Sequence, residues 1–135
     1  MRKATLVLVI VIALWAATSW QTQPQWQVIQ TVTLTRQTQP IPQTTIFTPT
    51  KRGLYRLSEY LTAGGRNINA TWQLIFSWND IDGSGFSYGI GSYDSPAEFV
   101  YIFSPQPNTP VSYMVTQQPG YSGGYDLAIT IEQLQ

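Results

Sequence analysis

"WQLIFSWNDIDGSGFSYGI", residues 72–90, holds the choice on which the fold depends. Trp72, Leu74, Phe76 and Trp78 alternate with Gln73 and Ser77, and after the polar run 79–85 the alternation resumes with Phe86, Tyr88 and Ile90 against Ser87 and Gly89. A period of two in aromatic and branched residues is that of a half-buried strand. The connection between the two runs has a second reading. Asp80, Asp82 and Ser84 place oxygens at the first, third and fifth positions of a calcium loop, and Gly85 occupies the sixth, where such loops turn sharply. The twelfth position, which needs a bidentate glutamate, is Gly91, and the flanks are strands rather than helices, so an EF-hand is excluded. Asn, Asp and Gly are also the residues that turn a chain between strands. The run is therefore read as a hairpin turn. Calcium is the one cofactor it would admit, through Asp80, Asp82 and Ser84, if Glu98 or a backbone carbonyl folded back to complete the site.

The same alternation extends outward in both directions. "LYRLSEYLT" sets Tyr55, Leu57 and Leu61 against Arg56, Ser58 and Tyr60, "VSYMVT" presents Val111, Tyr113 and Val115, and "YDLAITIEQL" presents Tyr125, Leu127, Ile129 and Ile131. "EFVYIF" is apolar on both parities, which predicts a central strand or one covered on both sides. Upstream, Trp26, Val28, Val32 and Leu34 share one parity, interrupted by Gln30, in a Gln/Thr-rich stretch closed by Pro40 and Pro42. No segment keeps a helical period. The chain is expected to be all-β, an antiparallel two-sheet β-sandwich of jelly-roll type with about eight strands. An immunoglobulin-like sandwich of seven strands with a free arm fits the same pattern.

Three segments follow: residues 1–19, 20–43 and 44–135. The first has a basic start, Arg2 and Lys3, an apolar run from Ala4 to Ala17, and Ala17 and Ser19 where small residues permit cleavage, which is the form of a secretory signal helix. The run is short of the ~20 residues that span a bilayer comfortably, so the membrane is a partner only if the segment is retained as an anchor. The second is an arm with one strand and a proline linker, and the third is the sandwich. Removal of the first segment leaves five basic and seven acidic residues, a net charge of −2. The expected site of action is outside the cell, secreted or at the cell surface.

Composition excludes more chemistry than it suggests. The chain has no histidine and no cysteine, which rules out imidazole- and thiolate-based catalysis, the usual zinc sites and disulfides. Arg36, Lys51, Arg52, Arg56 and Arg66 are too few and too scattered for the basic stripe that nucleic acid requires. Glycosidase chemistry needs two facing carboxylates, and Glu59, Asp80, Asp82, Asp94, Glu98, Asp126 and Glu132 read as solvated outward positions and turns, with nothing to pair them. No enzyme is expected. Asn69–Thr71 matches a glycosylation acceptor, which matters only in a eukaryotic secretory pathway.

"IFTPTKRGLYRLSEYL", with Phe47, Pro49, Gly53, Tyr55 and Leu57, resembles the first strands of the jelly rolls of complement globular heads and tumour-necrosis-factor relatives, and "YSGGYDLAI" resembles their last strands. The resemblance covers about a quarter of the chain beyond residue 19, with looser spacing between Pro49 and Gly53 and no collagen-like stalk. It implies a ten-strand jelly roll that trimerises through aromatic faces and binds ligands on exposed loops. The same stretch is similar to secreted bacterial and viral sandwich proteins of undefined role.

The function expected from these features is extracellular binding or adhesion without catalysis. Tyr60, Tyr93, Tyr101 and Tyr121 lie off the inward rows and are the candidate ligand residues, for a surface glycan or a protein; loops 79–85, 92–97, 104–110 and 117–124 are the expected contact surface. A structural subunit is the alternative: the strand holding Trp26, Val28, Val32 and Leu34 would pair with another copy and build a filament or oligomer.

Overall fold

The computed structural model describes residues 23–63, 72–92, 96–119 and 123–135. The expected signal segment, the glycosylation triplet, Tyr93 and Tyr121 lie outside them. Eight strands form: β1 (Trp26–Gln37), β2 (Ile41–Phe47), β3 (Tyr55–Ala63), β4 (Trp72–Asn79), β5 (Gly85–Ser92), β6 (Ala97–Phe103), β7 (Val111–Gln117) and β8 (Tyr125–Leu134). They build two antiparallel four-stranded sheets, ordered β1-β8-β3-β6 and β2-β7-β4-β5. We call these the first and second sheets.

The β4–β5 hairpin is the tip around which the rest nests. β3 pairs with β6, β2 with β7 and β1 with β8, so a long two-stranded ribbon is folded over itself. The β3–β8 and β4–β7 pairings close that ribbon into two sheets. This is the jelly roll, and the described residues form it with eight strands, where the complement-head resemblance implied ten.

Period-two rows fill the space between the sheets. Leu57, Leu61, Trp72, Leu74, Phe76, Val111, Val115, Tyr125, Leu127, Ile129 and Ile131 are all but inaccessible to solvent. Each fully buried side chain of this size contributes about 1.5–3 kcal/mol, and a chain without cysteine depends on that sum. At one end of the sandwich Trp72 packs on Tyr125 at 4.5 Å between ring centroids and donates its indole N–H to the carbonyl of Gly123. At the other end Trp78 meets Phe103 at 5.1 Å. Close approach explains Gly124: a Cβ there would lie 2.9 Å from the carbonyl oxygen of Gln37, at the seam of β8 and β1.

Three expectations change. The row Trp26, Val28, Val32, Leu34 is split by a bulge at Ile29: Val28 pairs with Glu132, but Gln30 pairs with Ile131. An extra residue reverses the facing of everything before it. Val32 and Leu34 therefore turn to the core opposite Ile129 and Leu127, while Trp26 and Val28 lie on the outer face, where Trp26 carries the Arg56 guanidinium 4.8 Å from its ring centroid. The stretch read as a proline linker becomes β2 from Ile41 onward; Pro42 is tolerated because β2 is an edge strand. Finally β6, expected to be central or doubly covered, is an edge strand whose Val100 and Ile102 are 61% and 54% exposed.

Candidate functional site

The outer face of the second sheet follows from the same alternation that fills the core. With Phe76 and Trp78 turned inward, Ser77 and Asn79 face out from β4, and their register partners Ser87 and Gly85 face out from β5. Ser112 of β7, opposite Ser77, completes a row of three serines across the sheet. Together with Gln43 of β2, Pro110, and the edges of Trp78 and Phe86, these residues line a depression of about 370 Å³. Its lining carries hydroxyl and amide groups and no ionisable side chain.

Trp78 and Phe86 border the depression from the inward parity: Phe86 stacks on Trp78 with centroids 5.7 Å apart and planes inclined by 12°, and Phe86 remains 46% exposed. The Trp78 indole nitrogen is buried and has no hydrogen-bond partner. The rim is fixed by backbone contacts: Gln106 donates its N–H to the Asn79 carbonyl at 2.8 Å, and Asp80 bridges to Pro105. At Gly85 a Cβ would meet only the Asn79 side-chain oxygen, at 3.7 Å, so the missing side chain keeps the depression open.

A second depression, of about 320 Å³, lies at the opposite end between Arg36, Thr38, Thr62, Ala63, Gly124, Tyr125 and Asp126. Arg36 takes a left-handed backbone (φ 54°) there, and its N–H donates to the Asp126 carboxylate at 2.6 Å. That contact fastens the end of β1 to β8. It leaves the carboxylate engaged with backbone rather than turned to a ligand.

The residues singled out by sequence are dispersed. Tyr60 sits on the outer face of the first sheet, half-buried, between Glu98 and Ala128. Tyr101, expected on an outer surface, faces the interior, with its ring 5.7 Å from Trp78 and 6.1 Å from Phe99. The cause is the double apolar parity of β6, which conceals which row turns inward. Tyr60 and Tyr101 thus lie on opposite faces of one sheet and share no site.

The 79–85 run is a turn held by its own side chains. Asp80 accepts the Gly83 N–H with its carbonyl at 2.8 Å and the Ile81 N–H with its carboxylate at 2.9 Å. Asp82 accepts both the N–H and the hydroxyl of Ser84, which holds its carboxyl below the usual range. Gly83 supplies the positive φ of 87°. Among the described residues no three carboxylates, or other metal-binding side chains, converge.

Glu59 departs most from expectation. It occupies the inward row of β3 between Leu57 and Leu61, is 4% exposed, and neither carboxylate oxygen has a partner. Burial alone pushes its pKa up to about 8, so the folded state holds it as the neutral acid at neutral pH. By contrast Glu132, on the outer face, accepts two hydrogen bonds from Arg56 at 2.5 and 2.7 Å, which lowers its pKa. The described carboxylates are thus divided among a core row, a turn, a strand seam, an ion pair and, at Glu98, an exposed edge strand, and neither depression is lined by two of them.

Among the residues that line the larger depression, the sequence indicated Asn79, Gly85 and Pro110 through their loops; it gave no role to Gln43, Ser77, Ser87 or Ser112. Ser77 and Ser87 are single serines on the outward parity of β4 and β5, and Gln43 and Ser112 lie on β2 and β7, so no local pattern joins them in the sequence.

No family model matches the chain, and no characterised protein matches it by sequence. Solved structures match by fold. The CBM22-1 xylan-binding domain of Xyn10C from Paenibacillus barcinonensis is 10% identical over 84% of this chain and 83% of its own, with a TM-score of 0.44. A Bacillus endospore appendage, from a family of disulfide-linked pili, is 13% identical over 86% of this chain and 96% of its own, with a TM-score of 0.42. The VP2 subviral particle of infectious bursal disease virus is 12% identical over 82% of this chain and 33% of its own, with a TM-score of 0.40. Among the described residues no helix is long and apolar enough to cross a membrane.

Proposed function

We propose that the chain is a non-catalytic binding module acting outside the cell, and that its ligand is a neutral glycan held in the depression on the outer face of the second sheet. The observation that carries this reading is the lining itself. Ser77, Ser87, Ser112, Asn79 and Gln43 offer donors and acceptors without charge, with Phe86 exposed at the border. Sugar rings present uncharged hydroxyls, and an uncharged polar surface matches them. An acidic glycan or a phosphorylated ligand would lack a cation there. The basic and apolar start of the chain supports export.

The test is retention on a panel of neutral polysaccharides by affinity electrophoresis, with Ser87→Trp as the blocking variant. Ser87 is exposed, so the indole fills the depression without entering the core. The expected result is retention of the wild type by at least one glycan and a loss of about tenfold or more in the variant, at unchanged melting temperature. Absence of retention across the panel, or equal retention of the variant, would refute the reading.

A further inference from the structure

The two sheets treat their edges differently. In the second sheet, β2 carries Pro42 and two breaks in register with β7, and every second residue of β5 from Gly85 is Gly or Ser. Proline, irregularity and missing side chains are what discourage a further strand from joining. In the first sheet, β6 keeps unbroken register with β3 from Ala97 to Phe103, and β1, which also breaks register with β8 twice, keeps it over the stretch between the breaks, from Gln30 to Leu34. Neither stretch contains proline or lysine, and Glu98 is the only charge in either. On β6 the side chains are apolar on both faces, with Val100 and Ile102 projecting into solvent and Phe99 and Tyr101 only partly covered on the core side; on β1 the core side carries the partly covered Val32 and Leu34, and the outer face carries Thr31 and Thr33.

We infer that these edges join copies of this chain head to tail, β1 of one copy pairing with β6 of the next. Strand polarity allows it. Four strands that alternate in direction leave the two edges antiparallel to each other, so a copy repeated in the same orientation continues the alternation. Side-chain rows allow it as well. Within one copy Thr31, Thr130, Ser58 and Val100 form one cross-sheet row, and Val32, Ile129, Glu59 and Phe99 the next. Extending the rows sets Val100 of one copy beside Thr31 of its neighbour and Phe99 beside Val32, which closes the core at both open ends. The contact is heterologous and has no closing rotation built in, so its product is an open-ended assembly, wound by the ordinary twist of a sheet. It goes beyond glycan binding and leaves the depression on the second sheet free.

The test uses the purified protein and a Val100→Lys/Ile102→Lys variant, whose altered side chains are solvent-facing and spare the core. Light scattering after size exclusion is expected to show mass rising past a dimer with concentration in the wild type, and a monomer throughout for the variant. A wild type that stays monomeric, or an assembly that survives both lysines, overturns the inference. Because the natural chain has no cysteine, Thr31→Cys and Val100→Cys made in separate molecules provide a second readout. Oxidation of the mixture is expected to yield a mixed disulfide several-fold in excess of either variant alone; yields no higher than for Thr44→Cys with Val100→Cys, which places one thiol on β2, contradict it.

Discussion

The two sheets share one interior and have opposite exteriors. Inside, both contribute period-two rows of large apolar residues. Outside, the first sheet carries Trp26 on Arg56, the Arg56–Glu132 pair and bare Val100 and Ile102, whereas the second carries serines, glycines, Gln73 and Asn79 around a depression. The interior sets stability, and any pair of sheets with such rows would serve. The exteriors differ in kind: one carries an ion pair and bare apolar side chains, the other small and uncharged polar groups.

The largest effects are expected where the sheets are alike. Trp72→Ala removes a fully buried ring and its indole hydrogen bond, and should cost about 3–5 kcal/mol in denaturant unfolding. Ser77→Ala, on the outer row of the same strand, is expected within about 0.5 kcal/mol of wild type. Equal losses at the two positions would mean that the inward and outward rows have been misassigned.

Next comes Glu59, the one charge-bearing side chain buried among the described residues. In the unfolded chain Glu59 loses its proton near the ordinary value of 4.5, but in the folded chain only near 8. Between those values the unfolded state binds fewer protons, so stability falls as pH rises, by up to about 1.4 kcal/mol per pH unit. Glu59→Gln should flatten that slope, and Glu59→Leu should flatten it and raise the melting temperature at pH 8, because no partner is lost with the carboxylate. Stability profiles from pH 4 to 9 that coincide for wild type and variants would contradict the buried acid.

The smallest effect belongs to the outer face of the first sheet. Glu132→Gln breaks an ion pair that is partly exposed to solvent, and its effect on unfolding should shrink in high salt. Persistence of the effect in salt would indicate that this face is covered in solution.

Most of the strand plan was legible because alternation is a local signal. Trp72 to Trp78, Phe86 to Ile90 and Tyr125 to Ile131 each declare a face within a few residues, and the Asn/Asp/Gly run between the first two is a turn on either reading of its carboxylates. What stayed hidden depended on partners distant in sequence. The bulge at Ile29 is visible only against β8, and it turns one apparent row into two. The facing of β6 cannot be read from "EFVYIF", where both parities are apolar, so the sequence alone puts Tyr101 outside and makes β6 a central or doubly covered strand. Glu59 sits in an apolar row whose period is intact, but the charge itself argued for solvent. The depression is not legible in the sequence because serine and glycine on an outward row are also what an ordinary strand surface contains; only the register that brings Ser77, Ser87 and Ser112 side by side distinguishes them.

The most direct test of the division between the two exteriors is an NMR titration of amide resonances with the neutral oligosaccharide that the protein retains best. The expected shifts concentrate on Gln43, Ser77, Asn79, Ser87 and Ser112, with β1 and β6 unmoved. Shifts centred on Tyr60, Val100 and Ile102 instead would place ligand recognition on the first sheet and contradict the account.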